Sequence, residues 1–233
     1  MKSFTEIFEG KELDIPAVKR TMLFTDIIGS SKLWATYKED MYSALLKHDD
    51  QIHELVEKYD ATILKTIGDA FMICFKGKKS ALDALKFAIE LTEDLEKKPI
   101  KVGSDKVQLR IGFAFGEMYE RKVDIQGQTL KDYFGNTVNT ASRMESKVSG
   151  DGGFAFTNVD KVDSDQSKEM TKLLKEKCKF EVIDFEDDCR FDPEEKVGRS
   201  ARLLTDLQRH KCENVSKLKG VKPLRAYKCR VKK

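Results

Sequence analysis

A mixed α/β (α+β) fold, an antiparallel sheet with two helices on one face, is predicted by three observations. Short stretches alternate apolar and polar residues at the strand period, two longer ones repeat apolar residues at helical steps, and their order is β-α-β-β-α-β. The 233 residues, 40% hydrophobic, are enough for one good core rather than two full domains. Lys and Arg total 43 against 40 Asp and Glu, a formal net charge of +3. That balance argues against nucleic acid or an anionic membrane as the main partner and leaves room for a small anionic ligand.

TMLFTDII (21–28) sets Met22, Phe24, Asp26 and Ile28 on one face and Leu23, Thr25 and Ile27 on the other, so Asp26 interrupts an apolar row. From 31 to about 58, Leu33, Tyr37, Met41, Leu45, His48, Ile52 and Val56 predict one long amphipathic helix. ATILKTI and DAFMICF then read as two strands joined at Gly68, with Lys65 in the first and Asp69 at the turn. A second helix, about 78–97, presents Ala81, Leu85, Ala88, Leu91 and Leu95, and KVQLRIGFAFGEM supplies a strand ending at Gly116. This order is the split βαβ arrangement of ferredoxin-like folds.

DYFGNTVNTASRMES begins as a loop-like segment and becomes a helix at about 136, placing Asn139 and Arg143 four apart on one face. SGDGGFAF is read as a turn and strand. A charged stretch follows, with a helix start at Asp192 (N-cap) and Pro193, and KLKGVKPLRAYKCRV closes the chain as a turn and strand. The expected organisation is an N-terminal segment, 1–19, and one domain, 20–233, carrying a C-terminal αβ extension. A partly helical charged insertion at about 159–213 is expected to pack outside the core or tune self-association.

Five cysteines lack CxxC spacing, which disfavours a disulfide framework or a zinc site and suits a reducing, cytoplasmic setting. No apolar run approaches the roughly 18 residues of a membrane span, so a soluble protein is expected. His48, His53 and His210 form no ligand cluster in sequence, and the first two are expected on different helix faces. Asp26 and Asp69 each sit at a strand end, where aspartate commonly caps backbone amides. As a pair brought together by the sheet, they also suit Mg²⁺, which takes oxygen ligands and often only one or two carboxylates beside substrate phosphates.

TMLFTDIIGSSKLW, LKTIGDAF, LRIGFAFGEM and DYFGNTVNTASRMES, in that order and spacing, resemble the successive motifs of the class III nucleotidyl cyclases, the adenylyl and guanylyl cyclase family. The resemblance covers about 20–157 and resumes at KLKGVKPLRAY. It implies the class III cyclase fold and a homodimer whose two chains associate head to tail and share two active sites. It further implies that Asp26, Asp69 and the backbone carbonyl of Ile27 bind two Mg²⁺ or Mn²⁺ ions, and that Gly29, Ser30 and Ser31 lie at the triphosphate. Lys65 and Asp132 match the base-reading pair, Asn139 and Arg143 the ribose-orienting and transition-state pair, and Lys219, among nearby Lys217 and Lys222, the triphosphate lysine.

Lysine donates and aspartate accepts, which suits the N1 acceptor and N6 donor of adenine and opposes guanine. Adenylyl cyclase activity on ATP, with no nucleic acid partner and no membrane span, is therefore expected. The alternatives are a guanylyl or other nucleotidyl cyclase, or a catalytically silent nucleotide-binding module.

Overall fold

The computed structural model describes residues 17–125, 128–148, 150–157, 162–184 and 225–232. Eight strands form one sheet. Its first four are β1 (Ala17–Ile27), β2 (Thr62–Ile67), β3 (Ala70–Phe75) and β6 (Leu109–Ile125), laid side by side as β2-β3-β1-β6 with every neighbour antiparallel. Helices α1 (Ser30–Lys58) and α2 (Ser80–Lys97) make the crossovers, giving the expected βαββαβ core. A small hairpin, β4 (Lys101–Val102) with β5 (Asp105–Lys106), precedes β6.

The two faces follow the alternation in β1. Leu23 and Ile27 are buried with Ile52, Phe87 and Leu91 of the helices, while Met22 packs on the other side with Met72, Cys74 and Ala114. That second face is covered by α3 (Asn136–Ser146), which buries Thr137, Ala141 and Met144. Close approach is needed here: a Cβ at Gly112 would lie 1.9 Å from the Glu145 backbone nitrogen. Gly112 thus lets helix and sheet backbones touch.

The extension enlarges the sheet: β8 (Gly153–Thr157) joins β6 in parallel, and β10 (Arg225–Val231) and β9 (Cys178–Asp184) follow as antiparallel neighbours. Cross-strand aromatic pairs hold this half. Phe113 stacks on Phe156 at 4.8 Å, and Phe156 on Tyr227 at 5.2 Å. Helix α4 (Ser164–Lys177) buries Met170 and Leu174 in the same core as α2, and its buried Gln166 accepts from Leu82 N and donates to Lys78 O at the start of α2.

Several expectations change. Residues 162–184, expected within a charged insertion outside the core, supply α4 and β9 to the fold. β1 starts at Ala17, three residues before the expected boundary. The strand expected to stop at Gly116 runs on to Ile125 and pairs with β7 (Gln128–Phe134), so DYF ends a strand instead of forming a loop. The charged run YERK in this hairpin carries no apolar alternation to reveal it. Helix α1 is interrupted at Tyr37 and Lys38, where Tyr37 meets the β4–β5 turn and its hydroxyl lies 2.8 Å from Ser104 Oγ. His48 is buried and His53 exposed, in agreement with the different helix faces expected of them, although both rings meet Phe71 edge-on, at centroid distances of 5.6 and 6.3 Å. The expected helix from Asp192 and Lys219 lie outside the described residues.

Candidate active site

The anticipated residues form two groups, with the β2–β3 hairpin contributing Asp69 to one and Lys65 to the other. The first lies at the C-terminal end of β1. There the Ile27 backbone N–H donates to Asp69 Oδ2 at 3.2 Å, which ties the β2–β3 turn to the strand end carrying Asp26. Gly29, with φ +69°, turns the chain into α1, and its carbonyl accepts from Lys32 and Leu33. Ile28 N is already bonded to Gln108 O, whereas no side chain caps the α1 N-terminus. The start of α1 at Gly29, Ser30 and Ser31 thus has backbone N–H groups without a side-chain cap, a chemistry suited to an anion.

A residue missed from sequence completes this group. Arg110 lies opposite Asp26 in the β1–β6 register, and its guanidinium donates to Asp26 Oδ2. Its Nε also lies 2.9 Å from Glu145 Oε1 on α3, close enough for an ion pair yet outside hydrogen-bond alignment. The Asp26 hydrogen bond, opposed by desolvation and aided by Glu145, Asp26 and Asp69, holds Arg110 even more firmly protonated than usual. Burial pushes the Glu145 carboxyl above its ordinary range, partly offset by Arg110. The signal was available as one basic residue in the apolar strand LRIGFAF, but only the strand register gives it a partner.

The donor set here fits a hard divalent cation. The set is all oxygen, the Asp26 and Asp69 carboxylates and the Ile27 carbonyl, with Asp69 tied to the Ile27 amide and Asp26 to the Arg110 guanidinium. Among the described residues no three acidic, histidine or cysteine side chains gather, so water and substrate oxygens would have to complete any coordination shell.

The second group begins with Lys65, whose Nζ donates to Asp132 Oδ1 at 3.1 Å and Oδ2 at 3.0 Å. A bulge makes this possible. Ile63 pairs with Ile73, but the register then shifts so that Lys65, not Leu64, lies opposite Met72. The extra residue turns Lys65 onto the α3 face, where β7 holds Asp132. Simple alternation would have aimed it toward the α1 side. Asp132 also accepts from Tyr133 N at 2.9 Å, and Tyr133 is buried with its hydroxyl on Glu120. Asn139 and Arg143 stand one turn apart on the exposed face of α3. Among the described residues, no hydrogen bond or ion pair joins Lys65, Asp132, Asn139 or Arg143 to Asp26 or Asp69.

His48 lies on α1 against Phe71, fully buried, with Nδ1 3.2 Å from Asp49 Oδ1 and Nε2 without a hydrogen-bond partner. Desolvation lowers its pKa against the opposing pull of Asp49 and Asp69. Cys74, Cys178 and Cys229 are free and buried, and burial pushes the first two thiols up to about 11. No helix among the described residues is long and apolar enough to cross a membrane.

Comparison with known proteins identifies the family. Residues 16–177, well over half of the chain, match the model of the adenylate and guanylate cyclase catalytic domain. The receptor-type adenylate cyclase GRESAG 4.2 of Trypanosoma brucei brucei is 30% identical over 171 residues, 60% of this chain and 29% of its own length. The receptor-type guanylate cyclase gcy-13 of Caenorhabditis elegans is 31% identical over 166 residues, 67% of this chain and 15% of its own. The matches thus span under a third of these relatives.

Among solved structures, the dimeric guanylyl cyclase domain of the RhoGC fusion protein from Blastocladiella emersonii superposes with a TM-score of 0.60 at 19% identity, covering 94% of this chain and 99% of that one. The adenylyl cyclase CyaB from P. aeruginosa does so with a TM-score of 0.59 at 17% identity, covering 95% and 98%. Both share the fold. The chain belongs to the adenylate and guanylate cyclase catalytic domain family.

Proposed function

We propose that the protein is an adenylyl cyclase, converting ATP to 3′,5′-cyclic AMP and pyrophosphate in a head-to-tail homodimer with two shared active sites. One observation carries the substrate choice: the Lys65 ammonium and the Asp132 carboxylate stand side by side on an open face, a donor next to an acceptor. Adenine presents the matching acceptor at N1 and donor at N6. Guanine would set its N1–H against the lysine and its O6 against the carboxylate, and each such mismatch costs about 1 to 3 kcal/mol.

Asp26, Asp69 and the Ile27 carbonyl would hold two Mg²⁺ or Mn²⁺ ions, which when bound supply an acidified ribose 3′-OH and charge neutralisation on the triphosphate. Asp26, which accepts from Arg110 in the ion-free chain, would face the ion instead, and the guanidinium would be available to the phosphates. Gly29, Ser30 and Ser31 receive phosphate oxygens through their N–H groups, and Lys219 is the proposed triphosphate lysine. From the partner chain, Asn139 orients the ribose, and Arg143 offers its planar set of donors to the α-phosphoryl oxygens. The 3′-oxygen attacks the α-phosphorus in line, its proton leaves to solvent, and the bond to the β-phosphate oxygen breaks to release pyrophosphate.

The exposure of Asn139 and Arg143 supports a second chain: among the described residues, none stands over them as a substrate pocket would. A reducing, cytoplasmic setting is consistent with three free buried cysteines. The second reading, a guanylyl cyclase, draws on relatives such as the nematode enzyme. Purified protein incubated with Mg²⁺ or Mn²⁺ and each of the four ribonucleoside triphosphates decides between them. Cyclic AMP from ATP is expected; cyclic GMP from GTP without cyclic AMP would overturn the base assignment, and no cyclic product from any nucleotide would support a silent module.

A further inference from the structure

The Asp26–Arg110–Glu145 chain of charges joins parts of the molecule that serve different sites in the proposed dimer. Asp26 belongs to the carboxylate half. Glu145 belongs to α3, two residues beyond Arg143 and six beyond Asn139, which would act in the other site. Arg110 touches both carboxylates from one position on β6. The backbones of β6 and α3 are in contact at Gly112, leaving no gap to absorb a movement. The Glu145 side chain is only 14% exposed, and both Arg110 Nε and Glu145 Oε1 are buried without a hydrogen bond. The pair is held near, but short of, its best alignment.

We infer that Glu145 is a positioning residue that, acting through Arg110, couples occupancy of the carboxylate half of one site to the placement of α3 in the other. This rests on the shared-site reading above. A divalent cation at Asp26 competes with Arg110 for the same carboxylate. Once released in nucleotide-free protein, the guanidinium keeps Glu145 as its close partner, and aligning that pair gains a charge-assisted hydrogen bond on α3. The two sites of the proposed dimer then share a free energy, and the coupling is reciprocal.

Hydrogen exchange of the full-length, nucleotide-free protein with and without Mn²⁺ tests this, alongside Mn²⁺ binding measured separately by electron paramagnetic resonance. In the wild type, exchange across the last turn of α3 slows by about fivefold or more when Mn²⁺ binds. Glu145→Gln abolishes that response while Mn²⁺ still binds. Arg110→Lys, which cannot span two carboxylates, does the same and carries the test if Glu145→Gln fails to fold. Unchanged α3 exchange in wild type with Mn²⁺ bound, or a full response in Glu145→Gln, overturns the coupling. Mn²⁺ binding that is absent, or unaffected by Asp26→Asn, overturns the metal assignment and the coupling with it, a result that the resonance signal distinguishes from the first.

Discussion

The two halves of the candidate site are built differently. At the end of β1, Asp26 and Asp69 are fixed inside one chain by Arg110, the Ile27 amide and the Gly29 turn. On the α3 face, Asn139 and Arg143 are exposed, and the Lys65–Asp132 pair has side chains 45% and 28% exposed. The first half is preorganised by its own fold, whereas the second presents the donors and acceptors of a recognition surface with no described residue over Asn139 and Arg143. The difference is what a site divided between two chains requires.

The comparison breaks most visibly at the carboxylates. Asp26→Ala or Asp69→Ala would remove a proposed metal ligand worth several kcal/mol, so turnover is expected to fall by roughly a thousandfold or more. Initial rates across a Mn²⁺ titration check this; near-normal turnover would exclude that residue as a ligand. Loss of one transition-state donor is smaller. Arg143→Ala and Asn139→Ala should each lower kcat by roughly two to three orders of magnitude, with the homodimer still present by sedimentation.

Base recognition is expected to be weaker again. Lys65→Glu with Asp132→Lys reverses donor and acceptor and should shift the ATP to GTP ratio of kcat/KM by roughly ten- to a hundredfold, the scale of one or two mispaired polar groups. An unchanged ratio would remove the pair from base reading.

The smallest effect concerns stability. His48 has a lowered pKa, chiefly through desolvation, so the unfolded chain binds its proton more readily. Stability is therefore fully present above the unfolded value near 6.5 and declines as pH falls through it, by at most about 1.4 kcal/mol per pH unit. Denaturant unfolding of wild type and His48→Gln between pH 7.5 and about 5 measures this, and the variant should lose the part of the slope that His48 contributes.

Most of the core was legible because its pattern is local. Leu23 and Ile27 against Met22 and Phe24 show the two faces of β1, and Leu85, Ala88 and Leu91 the inward stripe of α2. What escaped depends on register or on elements without apolar alternation. Arg110 acquires meaning only when β1 and β6 pair, and Lys65 reaches Asp132 only because a bulge follows Ile63. The β6–β7 hairpin escaped through its charge, and α4 because three buried residues among lysines and glutamates make a thin stripe.

Division of the site between chains is tested most directly by complementation. Asp69→Ala and Arg143→Ala proteins, each nearly inactive alone, are mixed one to one and allowed to exchange subunits. A heterodimer then holds one site with both residues intact and one with neither, so random exchange should restore roughly a quarter of wild-type activity. Activity that stays at the level of the separate variants, with heterodimers demonstrated by native mass spectrometry, would contradict the shared-site arrangement.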